Sequence, residues 1–337
     1  MVVVSLGLGH DNDMLVPQTT FKSSIKIVKI EGGGNFTVLL LENGWLYLAG
    51  DLPLELECNG DKKTWRRVPG LYRDVACGWS HIVAITVENF VVTGGVGERG
   101  ELGQGSKKES PFLNPIMQIR HPLKSQVLAC FYNTYVLDGG QLLGCGSNTK
   151  CQIREPKERI IDSLVNVCEA SVSQACAGKN YVFYQKADGH IRLKGSISNS
   201  ETHLPPMDQF SAFECRSMWT SLLTFNANQK FQFYGQANQK QDAIIGFSCN
   251  GPVTAWSTGS EHGIVCIGGK QVFCWGWGEH GNCGSLPTSP TPDGVNDRSN
   301  INSGVNLAYK VDSTDVAIYT CFGGCATSWI CVERLGS

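Results

Sequence analysis

One spacing constrains this chain more than any other feature. In "GGGNFTVLLLENGWLYLAG" (32–50), "CGWSHIVAITVENFVVTGG" (77–95), "AGKNYVFYQKADGHIRLKG" (177–195), "SMWTSLLTFNANQKFQFYG" (217–235) and "TGSEHGIVCIGGKQVFCWG" (258–276), an anchor precedes a closing glycine by 17 residues. The anchors are Gly33, Gly78, Gly178, Met218 and Gly259; the closing residues are Gly50, Gly95, Gly195, Gly235 and Gly276. Between anchor and closing glycine lie an apolar run, a turn and a second apolar run, which is a two-stranded hairpin. A sixth copy, "CFYNTYVLDGGQLLGCG" (130–146), reads with Phe131 as anchor and is two residues shorter. Losing two residues keeps the same side chains on the same faces, because strands alternate with period two. A seventh anchor, Gly324, stands in "FGGCATSWICV" (322–332).

Seven sheet units whose anchors are 40 to 65 residues apart fit a β-propeller. The residue before each anchor is small: Gly32, Cys77, Cys130, Ala177, Ser217, Thr258 and Gly323. Inner strands crowding a central axis require that. The expected fold is therefore all-β, a seven-bladed propeller forming a single domain over 1–337. Residues 285–306, rich in Pro, Ser, Asn and Gly, read as a mobile surface loop, and 104–125 and 196–212 as shorter loops.

Ring closure is the difficulty. The seventh unit has an inner strand but the chain stops at Ser337, so the N-terminal strand must complete it. Aligning "SLGLG" (5–9) with "ELGQG" (101–105) pairs Leu6 with Leu102, and the equivalent of Gly95 then falls before Met1. On that alignment the closing strand is incomplete, with Val2 to Val4 as a substitute, a sheet edge is exposed, and the N-terminus is shortened or misassigned.

Composition narrows the function classes. The net charge is −2 and no long Lys/Arg run occurs, so no electrostatic footprint for nucleic acid or an anionic membrane is present. No apolar stretch is long enough for a spanning helix, and "MVVVSLGLGH" lacks the parts of a signal peptide. A soluble, non-secreted protein is expected. The fifteen cysteines are odd in number and include no C-x-x-C, which points to free thiols in a reducing compartment.

The units resemble the regulator-of-chromosome-condensation superfamily, whose repeats carry a Gly-x-x-His strand and an aromatic-Gly-x-Asn-x-x-Gly-Gln-Leu-Gly turn. Residues 78–81 and 259–262 match the first element; "GERGELGQG" (97–105), "GSNTKCQI" (146–153) and "WGWGEHGNCG" (275–284) match or echo the second. Within that superfamily, "LGLGHDNDMLVPQ" (6–18), "GSNTKCQIREPKER" (146–159), "MWTS" (218–221), "GSEHGI" (259–264) and "FGGCATSWI" (322–330) are similar to the fungal alpha-tubulin-suppressor, or killer-toxin-insensitivity, propellers. That resemblance implies a heterodimer with a small CSL-type zinc/iron-binding protein of diphthamide biosynthesis. It further implies an indirect link to Elongator-dependent modification of tRNA wobble uridines, no cofactor, and a place in the cytoplasm with the nucleus as a second location.

The most chemical-looking stretch is "CWGWGEHGNCG" (274–284), which holds Cys274, His280 and Cys283. Cys274 falls in a strand and the other two in the following turn, whose counterparts in other units carry no matching set, so neither a metal site nor a Cys–His pair is expected. His81 and His262 recur at one repeat position and are expected to bond neighbouring backbone. The aromatics say more. Residues just after an anchor and just after a closing glycine share one face of the ring. Trp79, Trp219 and Trp277 then lie on a face with Glu261, Glu279 and His280, and these six form the candidate partner-binding site. Trp45, Trp256, Trp275 and Trp329 are expected between blades.

The leading reading is a non-enzymatic interaction module, in which Glu261 and Glu279 meet a basic side chain of the metal-protein partner. The alternative is guanine-nucleotide exchange on a small GTPase, for which fold alone is weak warrant. A stand-alone enzyme has no phosphate loop or nucleophile elbow behind it.

Overall fold

The computed structural model describes residues 1–7, 12–57, 60–197, 213–237, 240–247, 251–284 and 304–335. Its strands form seven antiparallel sheets, the blades of a propeller. From the axis outward, blade 1 holds Ile27–Gly32, Phe36–Leu41, Leu46–Gly50 and Arg66–Val68. Blade 2 holds Tyr72–Cys77, His81–Thr86, Phe90–Val96 and Glu109–Gln118; blade 3 holds Ser125–Cys130, Asn133–Asp138, Gln141–Asn148 and Glu158–Asn166. Among the described residues blades 4 and 5 have three strands, Val172–Ala177, Tyr181–Lys186, Ile191–Gly195 and Phe213–Ser217, Ser221–Asn226, Phe231–Gly235. Blade 6 holds Val253–Thr258, His262–Ile267, Gln271–Gly276 and Asn306–Lys310.

Blade 7 joins the two ends of the chain: Val316–Gly323, Thr327–Arg334, Val2–Gly7 and Met14–Lys22. The expectation of an incomplete closing strand is therefore overturned. Val2 to Gly7 pair without a break with Val332 to Thr327, and the other edge pairs with Met14–Lys22. The true closing glycine is Gly7. Its φ of +108° matches +102° at Gly50, +103° at Gly95 and +92° at Gly276. A Cβ there would collide with the carbonyl just ahead of a neighbouring strand, Ala326 O, as it would at Gly276 with Glu261 O. The match of Leu6 to Leu102 was a false register; six residues after the closing glycine stands Asp13, as Glu101 follows Gly95 and Asn282 follows Gly276.

Other expectations also need correction. The segment 104–125 is no loop, since Glu109–Gln118 is the outer strand of blade 2. Of the 285–306 loop, 285–303 lies outside the described residues, while Asn306 is buried and begins a strand. Residues 198–212 also lie outside. In blade 3 the register places Gly146 opposite Asn133, where Gly95 lies opposite His81 and Gly50 opposite Phe36. The anchor is accordingly Cys130, the hairpin is one residue short rather than two, and Ala129 is the small residue before it. Phe131 moves to the position after the anchor.

Seven apolar clusters hold the seven junctions. Val38 and Leu40 pack with Val75, Ile82 and Ala84 between blades 1 and 2, while Leu39 and Leu41 point the other way, onto Val3, Trp329 and Cys331 of blade 7. Strands buried on both faces read as largely apolar runs such as "FTVLLL", with no regular polar alternation. Trp275, Trp256 and Trp329 are buried in these junctions as expected, and Trp45 is half-buried under the Arg67 guanidinium.

The anchor glycines have a steric cause. A Cβ on Gly33, Gly78, Gly178 or Gly259 would enter the ring three residues on: Phe36, His81, Tyr181 or His262. Where that later residue carries no ring, at Asn133 and Ser221, the anchor is Cys130 or Met218; in blade 7, where it is Thr327, the Trp329 ring stands over Gly324 instead. The rings then stitch blades together. His81 Nε2 lies 2.8 Å from Thr134 Oγ1 of blade 3, and His262 Nε2 lies 3.0 Å from Ser328 Oγ of blade 7. The Tyr181 hydroxyl donates to Ser221 O of blade 5 at 2.6 Å.

Burial pushes His81 down to about 3 and His262 down to about 4. In the unfolded chain a histidine titrates near ~6.5. As pH falls below that value the unfolded state takes up protons that the folded state refuses, so stability is full above it and lost toward the folded values. By pH 5.5 the loss is about 1.4 kcal/mol per histidine. Urea midpoints at pH 7.5 and 5.5 should differ in that direction; Glu31, Glu101 and Glu261, raised by burial, are protonated in the folded state first and offset part of the loss. A midpoint unchanged over that interval would contradict the burial of these two rings.

Candidate partner-binding face

The residues following the anchors make the mouth of the central channel. Backbone bonds run from blade to blade here: Gly34 N to Trp79 O, Trp79 N to Phe131 O, Lys179 N to Trp219 O and Trp219 N to Ser260 O, each at 2.8 or 2.9 Å. The side chains at these positions then decide what the mouth presents. Trp79 of blade 2 stacks on Phe131 of blade 3 at 5.1 Å, Phe131 meets Trp219 of blade 5 edge-on at 4.6 Å, and the two tryptophans are 5.9 Å apart. Lys179 of blade 4 lays its ammonium 4.4 Å over the Phe131 ring. Four consecutive blades thus contribute one aromatic–cation cap across the axis. Phe131 reaches its place with φ of +50°, a left-handed conformation that costs a non-glycine residue about 1 kcal/mol. The packing of its ring on both tryptophans holds it there.

From Trp219 the face continues outward. The Thr220 hydroxyl donates to Glu261 at 3.3 Å, and the Gln241 amide donates to the same carboxylate at 2.6 Å. Burial raises the Glu261 pKa, while Gln241, Thr220 and the Lys179 charge pull the other way. Trp277 N donates to Glu261 O at 2.9 Å, and its ring meets His280 edge-on at 5.3 Å. His280 Nδ1 lies 3.2 Å from Asp13 Oδ1, so the blade 6 turn is tied to the blade 7 turn. Glu279 is exposed beside them.

Trp79, Trp219, Glu261, Trp277 and His280 are therefore linked contact by contact, with Glu279 at the outer end. All three tryptophans are half-buried. Trp79 and Trp219 are held by each other and by Phe131, whereas the Trp277 ring packs against His280 of its own turn. Phe131, Lys179 and Asp13 were missed as members of this face. Counting from Gly146 with a hairpin one residue short would have found Phe131.

The Cys–His stretch resolves structurally. Cys283 is fully buried at the turn position that Leu102 and Ile153 fill in other blades, and its Sγ approaches Trp277 O at 3.4 Å. Cys274 packs in the junction of blades 6 and 7. His280 faces Asp13 instead. Among the described residues no group of three or more His, Cys, Asp or Glu side chains could hold a metal ion, no disulfide forms, and burial pushes Cys274 up to about 12 and Cys283 upward too. Among the described residues no helix is long and apolar enough to cross a membrane.

No protein-family model matches the chain. An RCC1 repeat-containing protein of Schizosaccharomyces pombe is 25% identical over 98% of this chain and 96% of its own length. The secretion-regulating guanine nucleotide exchange factor of Mus musculus is 25% identical over 85% of this chain and 75% of its own. Among solved structures, Prp20p of Saccharomyces cerevisiae superposes with a TM-score of 0.78 at 14% identity, covering 100% of this chain and 92% of that one. Human WBSCR16 does so with a TM-score of 0.73 at 14% identity, over 100% of this chain and 99% of that one. These relatives and neighbours support an RCC1-repeat β-propeller and establish the seven-bladed fold.

Proposed function

We propose that this RCC1-repeat-type propeller is a non-enzymatic binding module whose anchor-side face docks a small CSL-type metal protein. By the sequence resemblance, the pair would serve diphthamide formation and, through Elongator, tRNA wobble-uridine modification, in the cytoplasm with the nucleus as a second location. One observation carries the docking surface: the continuous run from the aromatic cap through Glu261 to Trp277, with the Glu279 carboxylate exposed at its outer end. Half-buried aromatics bordered by free polar groups are what recognition surfaces use, because the ring supplies apolar area at low entropic cost. Trp277 is the anchor of choice, since the cap tryptophans already satisfy each other.

Titration calorimetry with a purified, metal-loaded CSL-type protein tests this. One-to-one binding is expected, and Trp277→Ala should weaken it about 30-fold, the loss of about 2 kcal/mol typical of an aromatic hot spot. Glu279→Ala should weaken it less and reduce its salt dependence. Full affinity in both variants would remove the face; no binding by the parent chain would remove the partner.

A second reading has its own support, since a relative aligned over 85% of the chain is named a guanine nucleotide exchange factor. On that reading the same face would grip a small GTPase. Faster release of labelled GDP from a GTPase panel distinguishes the two.

A further inference from the structure

Below the aromatic cap the inner strands enclose an axial cavity of about 380 Å³. Small residues line it, Cys77, Ala129, Ala177, Ser217 and Gly323 from five blades, with backbone and polar side chains between them and Phe131 and Trp219 at the capped end. The charged residues in the wall are Lys29, Glu31 and Arg216. Lys29 is shared between two carboxylates, Asp74 and Glu31. Lys29 Nζ lies 2.9 Å from Asp74 Oδ1 and 3.5 Å from Glu31 Oε1. Arg216, across the axis on blade 5, is exposed to the cavity, and among the described residues no carboxylate pairs with it. Its guanidinium instead lies 5.7 Å over the Trp256 ring. Its charge is felt at Lys29 and Glu31 of blade 1, at Cys176 of blade 4 and at Cys321 of blade 7, which places it near the axis.

A guanidinium held against an aromatic face keeps a fork of N–H donors that fits a planar carboxylate or a phosphate. The aromatic rings at the capped end would pack on an apolar body behind that anion, and the volume suits a small ligand. We propose that the axial cavity binds an oxyanion carried on an apolar or aromatic body, with Arg216 gripping the oxyanion and the Trp79–Phe131–Trp219 cap packing on the body. An aryl carboxylate or aryl phosphate in free solution has this chemistry, and so does the C-terminal carboxylate of a peptide ending in an aromatic residue. The grip on the oxyanion does not rest on the docking reading, because Arg216 is no part of that face, although Trp79 and Trp219 belong to both.

The experiment uses the full chain with indole-3-acetate, phenyl phosphate, the neutral indole-3-acetamide and a tetrapeptide ending in free Trp, followed by calorimetry. Saturable binding is expected for at least one of the three anions, and the amide should bind at least about 10-fold more weakly than the acid, the scale of one lost charge-assisted bond. The relative strength of the small anions and the peptide identifies the source. Arg216→Gln should weaken anion binding about 10-fold or more. Circular dichroism checks that its melting is unchanged, and Arg159→Gln on an outer strand serves as the control. Equal affinity for acid and amide, an unaffected Arg216→Gln, or no binding at millimolar concentration would each overturn the proposal. Loss of cavity binding with metal-protein docking intact separates its failure from that of the docking face.

Discussion

Deleting residues 1–7 is expected to abolish the cooperative unfolding transition of the whole ring. Those residues form the third of four strands in blade 7, paired on both sides. Val3 and Leu6 are 0% exposed and Val4 is 6% exposed. Losing the burial of three such side chains removes about 5–9 kcal/mol, at about 1.5–3 kcal/mol each. The lost ladder adds to that, and a typical domain has about 5–15 kcal/mol in total. Val3 also packs on Ile27, Ile30 and Leu39 of blade 1, so the damage spreads past the seam. Two bare strand edges, Thr327–Arg334 and Met14–Lys22, should further promote association. Thermal melting by circular dichroism and size-exclusion chromatography measure both effects, and a synthetic peptide of residues 1–7 added in trans should restore part of the transition by strand addition. If Val2 to Val4 were only a makeshift edge, the deletion would shift the midpoint by a few degrees and leave the molecule monodisperse. That outcome would refute the closure described here.

The features legible in the sequence were those with a steric cause repeated in every blade. Anchor glycines recur because a ring stands over them, and residues before the anchor are small because seven strands converge there. The seam was misread because a turn motif, "SLGLG" against "ELGQG", was aligned instead of the closing glycine. A positive φ is what the position requires, and Gly7 had the right chemistry. The face was legible through Trp79, Trp219 and Trp277, since their offsets from anchor and closing glycine fix the end of the strand at which they stand. Contacts among them were not. Trp79 and Trp219 are 140 residues apart on blades 2 and 5, and only the geometry of the ring shows that they meet across its axis through Phe131. Arg216 carried no signal either: a charged residue in an inner strand looks like any solvent-facing position until the strand is seen to face a channel.

The anchor rule makes the sharpest test of how the blades hold together. Gly178→Met should be strongly destabilising, because the nearest atoms to a Cβ there all belong to the Tyr181 ring. Displacing that ring costs about 1–3 kcal/mol in overpacking. It also removes the hydrogen bond of the hydroxyl, donated to Ser221 O at 2.6 Å with Met218 O at 3.1 Å, worth about 1 kcal/mol. Tyr181→Ser alone empties a fully buried aromatic site and should cost about 3–5 kcal/mol. Yet Met and Ser together are the pair that blade 5 already uses, Met218 with Ser221, where Met218 is 1% exposed and well packed. In the double variant the methionine fills space that the tyrosine leaves. The two costs should therefore not add, and a coupling of about 1–3 kcal/mol in favour of the pair is expected. Urea denaturation of the four proteins at one pH measures it directly. Additive losses would mean that the anchor is glycine for a reason other than the ring above it, and that Met218 owes its place to features of blade 5 that blade 4 lacks.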